Sequence, residues 1–399
     1  MKELQGYARP TWAEVDLTKI MANVREFRRL LPDAVSLMAV VKANAYGHGA
    51  PETAAAALAA GASMLGVASL EEGIKLRRRG IEAPVLILGY TDPQHVALLK
   101  EARLTPTVYN WEGARAFSQQ ACALGCRIRF HFKVDTGMGR LGPAKPRESL
   151  LLLEKVAGLP GLELGGVFTH LACADERDRV FTERQLALFR ELLGAAAGKG
   201  IHVPLRHAAN TAGLIGYPEA VFDMVRVGIG IYGYYPSAAV DRSKVRLQAA
   251  LALKSRIVYL KKVPAGTPVS YGGSYRTPRA TRIATVPLGY GDGLNRHLSN
   301  GGFMLVRGQR VPIAGRICMD MTMLDVGSLP VVREGDEVVA YGRQGSGEIS
   351  LEEVADRLGT ISYELLCNVN ARVPRIYLQD SGGKILNYRY KIGDVSGNN

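Results

Sequence analysis

The sequence runs to 399 residues with 47% hydrophobic content and 45 glycines, enough to bury a large core in one big domain or two ordinary ones. The 50 Lys+Arg against 37 Asp+Glu leave a charge of +13, which favours anionic ligands, but no nucleic-acid motif accompanies it. Cys122, Cys126, Cys173, Cys318 and Cys367 show no framework spacing, which argues against a secreted disulfide scaffold. The opening MKELQGYARPTW has no apolar signal core and no run of 18 apolar residues follows, so a cytoplasmic protein without membrane contact is expected.

In chain order, LTKIMANVREFRRLL spaces Ile20, Val24, Phe27 and Leu31 on one face of an amphipathic helix. Strands are expected at 36–43, 64–69, 84–90, 105–110, 127–135, 163–171, 203–208 and 224–233. Helix-length segments such as GAPETAAAALAAGA, LEEGIKLRRRG and FTERQLALFRELLGAAA separate them. Eight such alternations predict an α/β fold, a (β/α)8 TIM-type barrel over 1–240, with a doubly wound sheet as the alternative. Beyond it the texture turns β-rich, with turn signals at PAGTP, YGDG, VRGQR and VREGD. That predicts a mainly antiparallel β domain over 241–385 and a tail over 386–399. One late helix, SLEEVADRLGTISYELLCNV, opens on Ser350 with Glu353 three residues on, a capping-box pattern.

Active sites of such barrels gather at the C-terminal ends of the strands. Polar residues accumulate there: Lys42, Asn44, Tyr46 and His48 after the first strand, Lys133, Asp135 and Arg140 after the fifth, and His170 after the sixth. Asn210 and Thr211 follow the seventh strand, and Arg226 lies in the eighth. A lysine in an apolar setting loses its charge more readily and becomes a nucleophile suited to a Schiff base. The alternative for a single lysine is a rim residue paired with a carboxylate. GIGIYG matches G-x-G-x-x-G, but YYPSAAVDRSKV after it is not helical, so a phosphate cradle reads better than a dinucleotide site.

Together AVVKANAYGHG, KVDTGMGRLG, FTHLACAD, HAANTAG, VRVGIGIYG, VSYGGSY, GYGDG, GRICMDM and RVPR resemble the bacterial alanine racemases, in order, from about Trp12 to Tyr377. The resemblance implies a pyridoxal-phosphate enzyme with a barrel, a C-terminal β domain and a head-to-tail homodimer. It implies an isomerase that interconverts L- and D-alanine and supplies D-alanine for peptidoglycan. Lys42 matches the lysine joined to the cofactor, and Tyr271 the tyrosine that enters the site from the partner subunit. Racemisation removes a proton from one face of Cα and returns one to the other, so two bases are needed.

By the same resemblance Arg226 faces the pyridine nitrogen, and His170 links it to the catalytic tyrosine. An arginine gives up no proton readily, which disfavours side reactions that need a protonated ring. Tyr46, Asn210, Thr211, Gly228, Ile229 and Tyr363 match the residues that hold the cofactor phosphate, with Thr211 where the family often has serine. Arg140 matches the arginine on the substrate carboxylate, and Lys133 a lysine that carries a carbamate in many relatives and braces that arginine. Met319 and Asp320 match positions that reach the substrate end from the other subunit. Asp175, Arg296, Arg316 and Ile361 match an entry corridor, and Tyr363 also limits pocket size.

Other features take simpler readings. Cys122 and Cys126 stand i, i+4 on a helix without further ligands, so buried thiols rather than a metal site are expected. Cys318, beside the expected substrate site, reads as reactive or as packing. KLRRRG at 75–80 reads as a solvated helix end. A pyridoxal-phosphate carrier would lack the second domain, a decarboxylase would need another partner for the ring nitrogen, and a periplasmic broad-spectrum racemase would need a signal peptide. A serine-preferring racemase differs by one hydroxyl in the pocket.

Overall fold

The structure, a computed structural model, describes residues 9–379 and 388–389. The chain divides into two compact units, one formed by residues 19–45 and 50–248, the other by the described parts of 1–18, 46–49 and 249–399. Two differences from the expected boundaries stand out: the division falls at Gln248, and the N-terminal strand belongs with the C-terminal unit.

The larger unit is a parallel (β/α)8 barrel. One sheet runs Met224–Val227, Ser36–Val40, Met64–Val67, Val85–Ile87 and Leu104–Thr105; the other runs Thr107–Val108, Ile128–Lys133, Leu162–Phe168 and Arg206–His207. Pro106, which has no N–H to donate, divides the fourth strand between the two sheets, and its carbonyl accepts from His131 N–H at 3.1 Å. Closure on the other side comes from Asp223 N–H to the Arg206 carbonyl and Arg226 N–H to the Ala209 carbonyl, both 3.0 Å.

Met64–Val67 and Val85–Ile87 are buried throughout, as strands covered on both faces must be. Their unbroken apolar runs follow from that position. The expected face of helix Leu17–Arg29 is buried at Ile20, Val24 and Phe27, with Leu31 just beyond it. The eighth strand stops at Val227, short of the expected 233, because residues Ile229–Tyr232 wind into a tight turn that ends on left-handed Gly233.

The smaller unit is mainly β. Its largest sheet runs Gln309–Pro312, Phe303–Val306, Glu337–Gln344, Leu251–Arg256, Thr11–Asp16, Arg375–Leu378 and Tyr388–Arg389, with Gly347–Ile349 pairing Glu337–Gln344. All its pairings are antiparallel except that between Thr11–Asp16 and Arg375–Leu378. Leu251–Arg256 alternates buried and half-buried positions, the signature of a one-sided sheet. Arg307 and Gly308 take φ of 54° and 75° between Phe303–Val306 and Gln309–Pro312, the paired positive dihedrals of a type I′ hairpin.

A second sheet joins Tyr259–Val263, Thr281–Val286 and Thr322–Asp325. The single late helix expected from sequence is two, Leu351–Leu358 and Ser362–Cys367, because Gly359 at φ 66° ends the first. Ser350 caps it by accepting from Glu353 N–H at 3.1 Å, while the Glu353 carboxylate turns to Arg310 and leaves the reciprocal half of the capping box unmade. Among the described residues no helix is long and apolar enough to cross a membrane.

Candidate active site

The first barrel strand ends in a tightly held turn. Tyr232 donates its hydroxyl to the Val40 carbonyl at 2.9 Å, and Lys42 follows, half-buried. Ala43, Asn44, Ala45 and Tyr46 then take φ of 52°, 53°, 55° and 49°. An L-residue costs ~1–2 kcal/mol in this left-handed region, so four in succession need compensation. Glu72 supplies part of it, accepting from Ala43 N–H at 2.6 Å and Ala68 N–H at 2.7 Å. Asn44 Oδ1 accepts from Ala50 N–H at 3.1 Å, and Ala45 N–H donates to Val41 O at 2.9 Å. Glu72 escaped the sequence reading because only the folded chain brings its helix beside this turn.

Basic groups cluster at the same rim. Arg226 is buried, and its guanidinium donates to Thr169 O at 2.7 Å, Ala208 O at 3.0 Å, His207 Nδ1 at 2.8 Å and His170 Nδ1 at 3.2 Å. Desolvation, then the charge of Arg140, brings Arg226 down to about 9, so it remains protonated at neutral pH. Desolvation, followed by Arg226, holds His170 and His207 well below the ordinary histidine value, hence neutral.

An arginine only donates, so His207 Nδ1 accepts and its Nε2 carries the proton, donating to His131 Nδ1 at 2.8 Å. His207 also stacks on Phe168, with ring centroids 4.7 Å apart. Sequence reasoning singled out His170 and missed His207 and His131, although HAANTAG includes one of them.

Lys133 is buried with Nζ 4.9 Å from the centroid of the Phe168 ring. Desolvation lowers its pKa to about 7; the charges of Arg226, Arg140 and Lys42 add to the fall and Asp135 opposes it. Asp135 organises the loop after this strand, accepting from Gly137 N–H at 2.8 Å and Arg140 N–H at 2.7 Å. Those backbone bonds, against the opposing effect of burial, leave the Asp135 pKa below its ordinary value. The Arg140 side chain is exposed.

On the adjoining strands, Asn210 caps Thr211–Gly216 by accepting from Gly213 N–H at 2.9 Å and donates to Leu171 O at 3.2 Å. Thr211 Oγ1 accepts from Gly228 N–H at 3.2 Å. A Cβ on Gly230 would come within 2.4 Å of the Phe27 ring and 2.8 Å of Thr211 Cγ2, so the turn after Val227 packs against both only as glycine.

The remaining expected residues, Asp175 excepted, lie in the smaller unit. The rings of Tyr46 and Tyr363 are 5.9 Å apart. Gly47, at φ 81°, passes so close to helix Ser362–Cys367 that a Cβ would stand 2.2 Å from the Leu366 carbonyl. Buried Arg375 donates to Gly47 O at 2.9 Å and to the carbonyls of Val369, Asn370 and Val373 at 2.6 Å each. Tyr271 is 68% exposed on a turn whose Ser270 takes φ 64° and donates to Arg316 O. Met319, Arg296, Arg316, Asp320 and Ile361 are exposed too, and in the barrel unit Asp175 is half-buried.

Two simpler readings need correction. Cys122 is exposed near the end of helix Trp111–Ala123 and Cys126 is half-buried beyond that end, so they neither share the helix nor are the buried thiols expected. Arg77 is no solvated residue either: its guanidinium donates to the carbonyls of Ile81, Ala83, Ala102 and Arg103, fastening the end of its helix.

A family model described as alanine racemase, N-terminal domain, matches residues 15–236, and one described as alanine racemase, C-terminal domain, matches 250–377. The chain belongs to the alanine racemase family. The alanine racemase of Desulfosudis oleivorans is 49% identical, over 94% of this chain and 98% of its own. That of Carboxydothermus hydrogenoformans is 50% identical over 93% and 100%. Among solved structures, the alanine racemase of Clostridium difficile superposes with a TM-score of 0.90 at 36% identity, covering 94% of this chain and 97% of that one. That of Bacillus anthracis with bound L-Ala-P gives 0.90 at 38%, covering 97% and 99%.

The family is pyridoxal-phosphate dependent. The residues of the barrel rim fit that cofactor: a half-buried lysine amine on a fixed turn, a buried guanidinium whose hydrogen-bond partners are uncharged, and a glycine-closed turn beside a threonine hydroxyl. Such a donor set calls for an anionic, electron-poor ligand.

Proposed function

We propose that this chain racemises alanine, interconverting the L and D forms with pyridoxal phosphate and supplying D-alanine for peptidoglycan. The observation that carries the reading is Arg226, a buried cation held entirely by neutral acceptors beside the strand end that bears Lys42. Pyridoxal phosphate, when bound, draws electrons from the substrate and acidifies its Cα–H bond.

Everything else falls to the protein. Lys42 holds the cofactor covalently and moves the proton on one face of Cα. Tyr271, delivered by the partner subunit of a homodimer, moves it on the other. Arg226 would meet the cofactor's ring nitrogen as a donor that does not readily give up its proton, which would disfavour transamination. His170 couples that arginine to Tyr271.

Thr211 and the backbone at Gly228 and Ile229 would hold the phosphate, while Asn210 shapes the turn that presents Thr211. Arg140 orients the substrate carboxylate, a task suited to a planar fork. Lys133, whose amine is about half neutral near pH 7, can add to carbon dioxide with loss of a proton. The carbamate that results braces Arg140 with opposite charge. Met319 and Asp320 close the substrate end from the other subunit, and Asp175, Arg296, Arg316 and Ile361 line the way in. Reaction in the cytoplasm, without nucleic acid or membrane partners, completes the reading.

The test is chiral chromatography of L-alanine incubated with the protein and pyridoxal phosphate. D-alanine should accumulate to an equal mixture. Its absence with cofactor demonstrably bound would overturn the reading.

A further inference from the structure

Three motifs on which the resemblance rests, GYGDG, GRICMDM and RVPR, meet at one buried carboxylate. Asp292 is fully buried. Arg9 grips it with both terminal nitrogens, at 2.6 and 2.7 Å, and Arg372 Nε donates to its Oδ1 at 2.8 Å. Gly289 N–H donates to its Oδ2 at 2.9 Å.

Both arginines then reach onward to the same short segment. Arg372 donates to Asp320 Oδ1 at 2.8 Å and Met319 O at 3.4 Å, and Arg9 donates to Asp320 O at 3.1 Å. The GYGDG backbone holds the segment from the other side, with Tyr290 N–H on Cys318 O at 3.1 Å and Gly291 N–H on Met319 O at 2.9 Å. Met319 and Asp320 are themselves exposed, so these bonds rather than core packing fix where they stand.

We propose that Asp292, Arg9 and Arg372 form a clamp that positions Met319 and Asp320 for substrate, making Asp292 and Arg372 positioning residues for alanine binding. The inference rests on the reading above that this segment closes the substrate end. A fully buried carboxylate shared by two arginines is costly to keep unless each charge is answered, and here the charges are answered in a way that ties three distant segments together. A lysine in place of Arg372 would keep the charge but could not bridge Asp292 and Asp320 at once, since it lacks the planar fork.

The experiment compares holoenzyme Arg372→Lys, Arg372→Ala and Asp320→Ala for KM and kcat with both enantiomers, thermal midpoint and cofactor absorbance. Both Arg372 variants should raise KM about tenfold with kcat within about twofold and the cofactor spectrum unchanged, the signature of lost substrate positioning. Lysine should restore the thermal midpoint more than it restores KM. If Asp320→Ala raises KM and neither Arg372 variant does, the clamp is overturned while the substrate-end reading stands. If Asp320→Ala also leaves KM unmoved, that reading fails and takes the clamp with it. A fall in thermal midpoint with unaltered KM would mark the arginine as merely structural and would likewise overturn the proposal.

Discussion

Lys133→Met should make the protein more stable at neutral pH and leave it little changed at high pH. The amine of Lys133 is held near 7 in the folded chain against an ordinary value of 10.5, by burial first and by neighbouring cations second. A group whose folded pKa is depressed in this way binds its proton more tightly when unfolded, so stability rises with pH between about 7 and 10.5. At about 1.4 kcal/mol per pH unit, the wild type is less stable at pH 7 than at pH 10.5 by as much as about 5 kcal/mol from this group. Methionine fills similar space over Phe168 without a charge to desolvate.

Urea unfolding of both proteins from about pH 6 to about pH 10, in buffer freed of carbon dioxide, measures the effect. The difference in unfolding free energy should be largest near pH 7, flatten below it and shrink toward pH 10. Added bicarbonate should reduce it at pH 7 to 8 if the amine takes up carbon dioxide. Parallel curves across the whole range would refute the claim that burial depresses the Lys133 pKa at a cost to stability.

Three further outcomes are expected. Arg375→Met should cost about 3–5 kcal/mol in urea unfolding, since it strands carbonyls at Gly47, Val369, Asn370 and Val373 in a buried setting; a loss under about 1 kcal/mol would show that water replaces the guanidinium there. Glu72→Gln replaces one of two accepting oxygens with a donor, so one of the Ala43 and Ala68 N–H groups loses its partner at a cost of about 1–3 kcal/mol. Its marker is weaker retention of pyridoxal phosphate on dialysis, and unchanged retention would separate the turn from the cofactor. Lys42→Ala should abolish borohydride-reducible attachment of the cofactor, checked by peptide mass mapping, and an adduct on another lysine would reassign the site.

The barrel was legible because parallel strands buried on both faces leave unbroken apolar runs, as in Met64–Val67, between helices with a periodic face such as Ile20, Val24 and Phe27. The first strand of the chain was not. Thr11–Asp16 runs straight into Leu17–Arg29 without a turn signal, and its partners, Leu251–Arg256 and Arg375–Leu378, lie at the far end of the sequence. Gly359 broke the late helix where an apolar pattern continued across it.

At the site, strand-end position exposed Lys42, Lys133, His170 and Arg226 as candidates, and the contact between His170 and Arg226 is present. Residues that brace the rim turn, Arg226 and segments of the smaller unit stayed hidden. Glu72, His207, Asp292 and Arg375 act through tertiary hydrogen bonds to segments remote in sequence, and local pattern contains no trace of such partners.

The central claim is that Lys42 and Tyr271 serve opposite faces of the substrate. Its most direct test is Tyr271→Phe holoenzyme incubated in heavy water with D-alanine and, separately, with L-alanine, followed by chiral separation and mass analysis. With Tyr271 the base that takes the proton from L-alanine and Lys42 the one that takes it from D-alanine, the account predicts deuterium in recovered D-alanine, almost no L-alanine formed from it, and L-alanine recovered unlabelled. Equal labelling of both enantiomers, or near-normal racemisation, would contradict it.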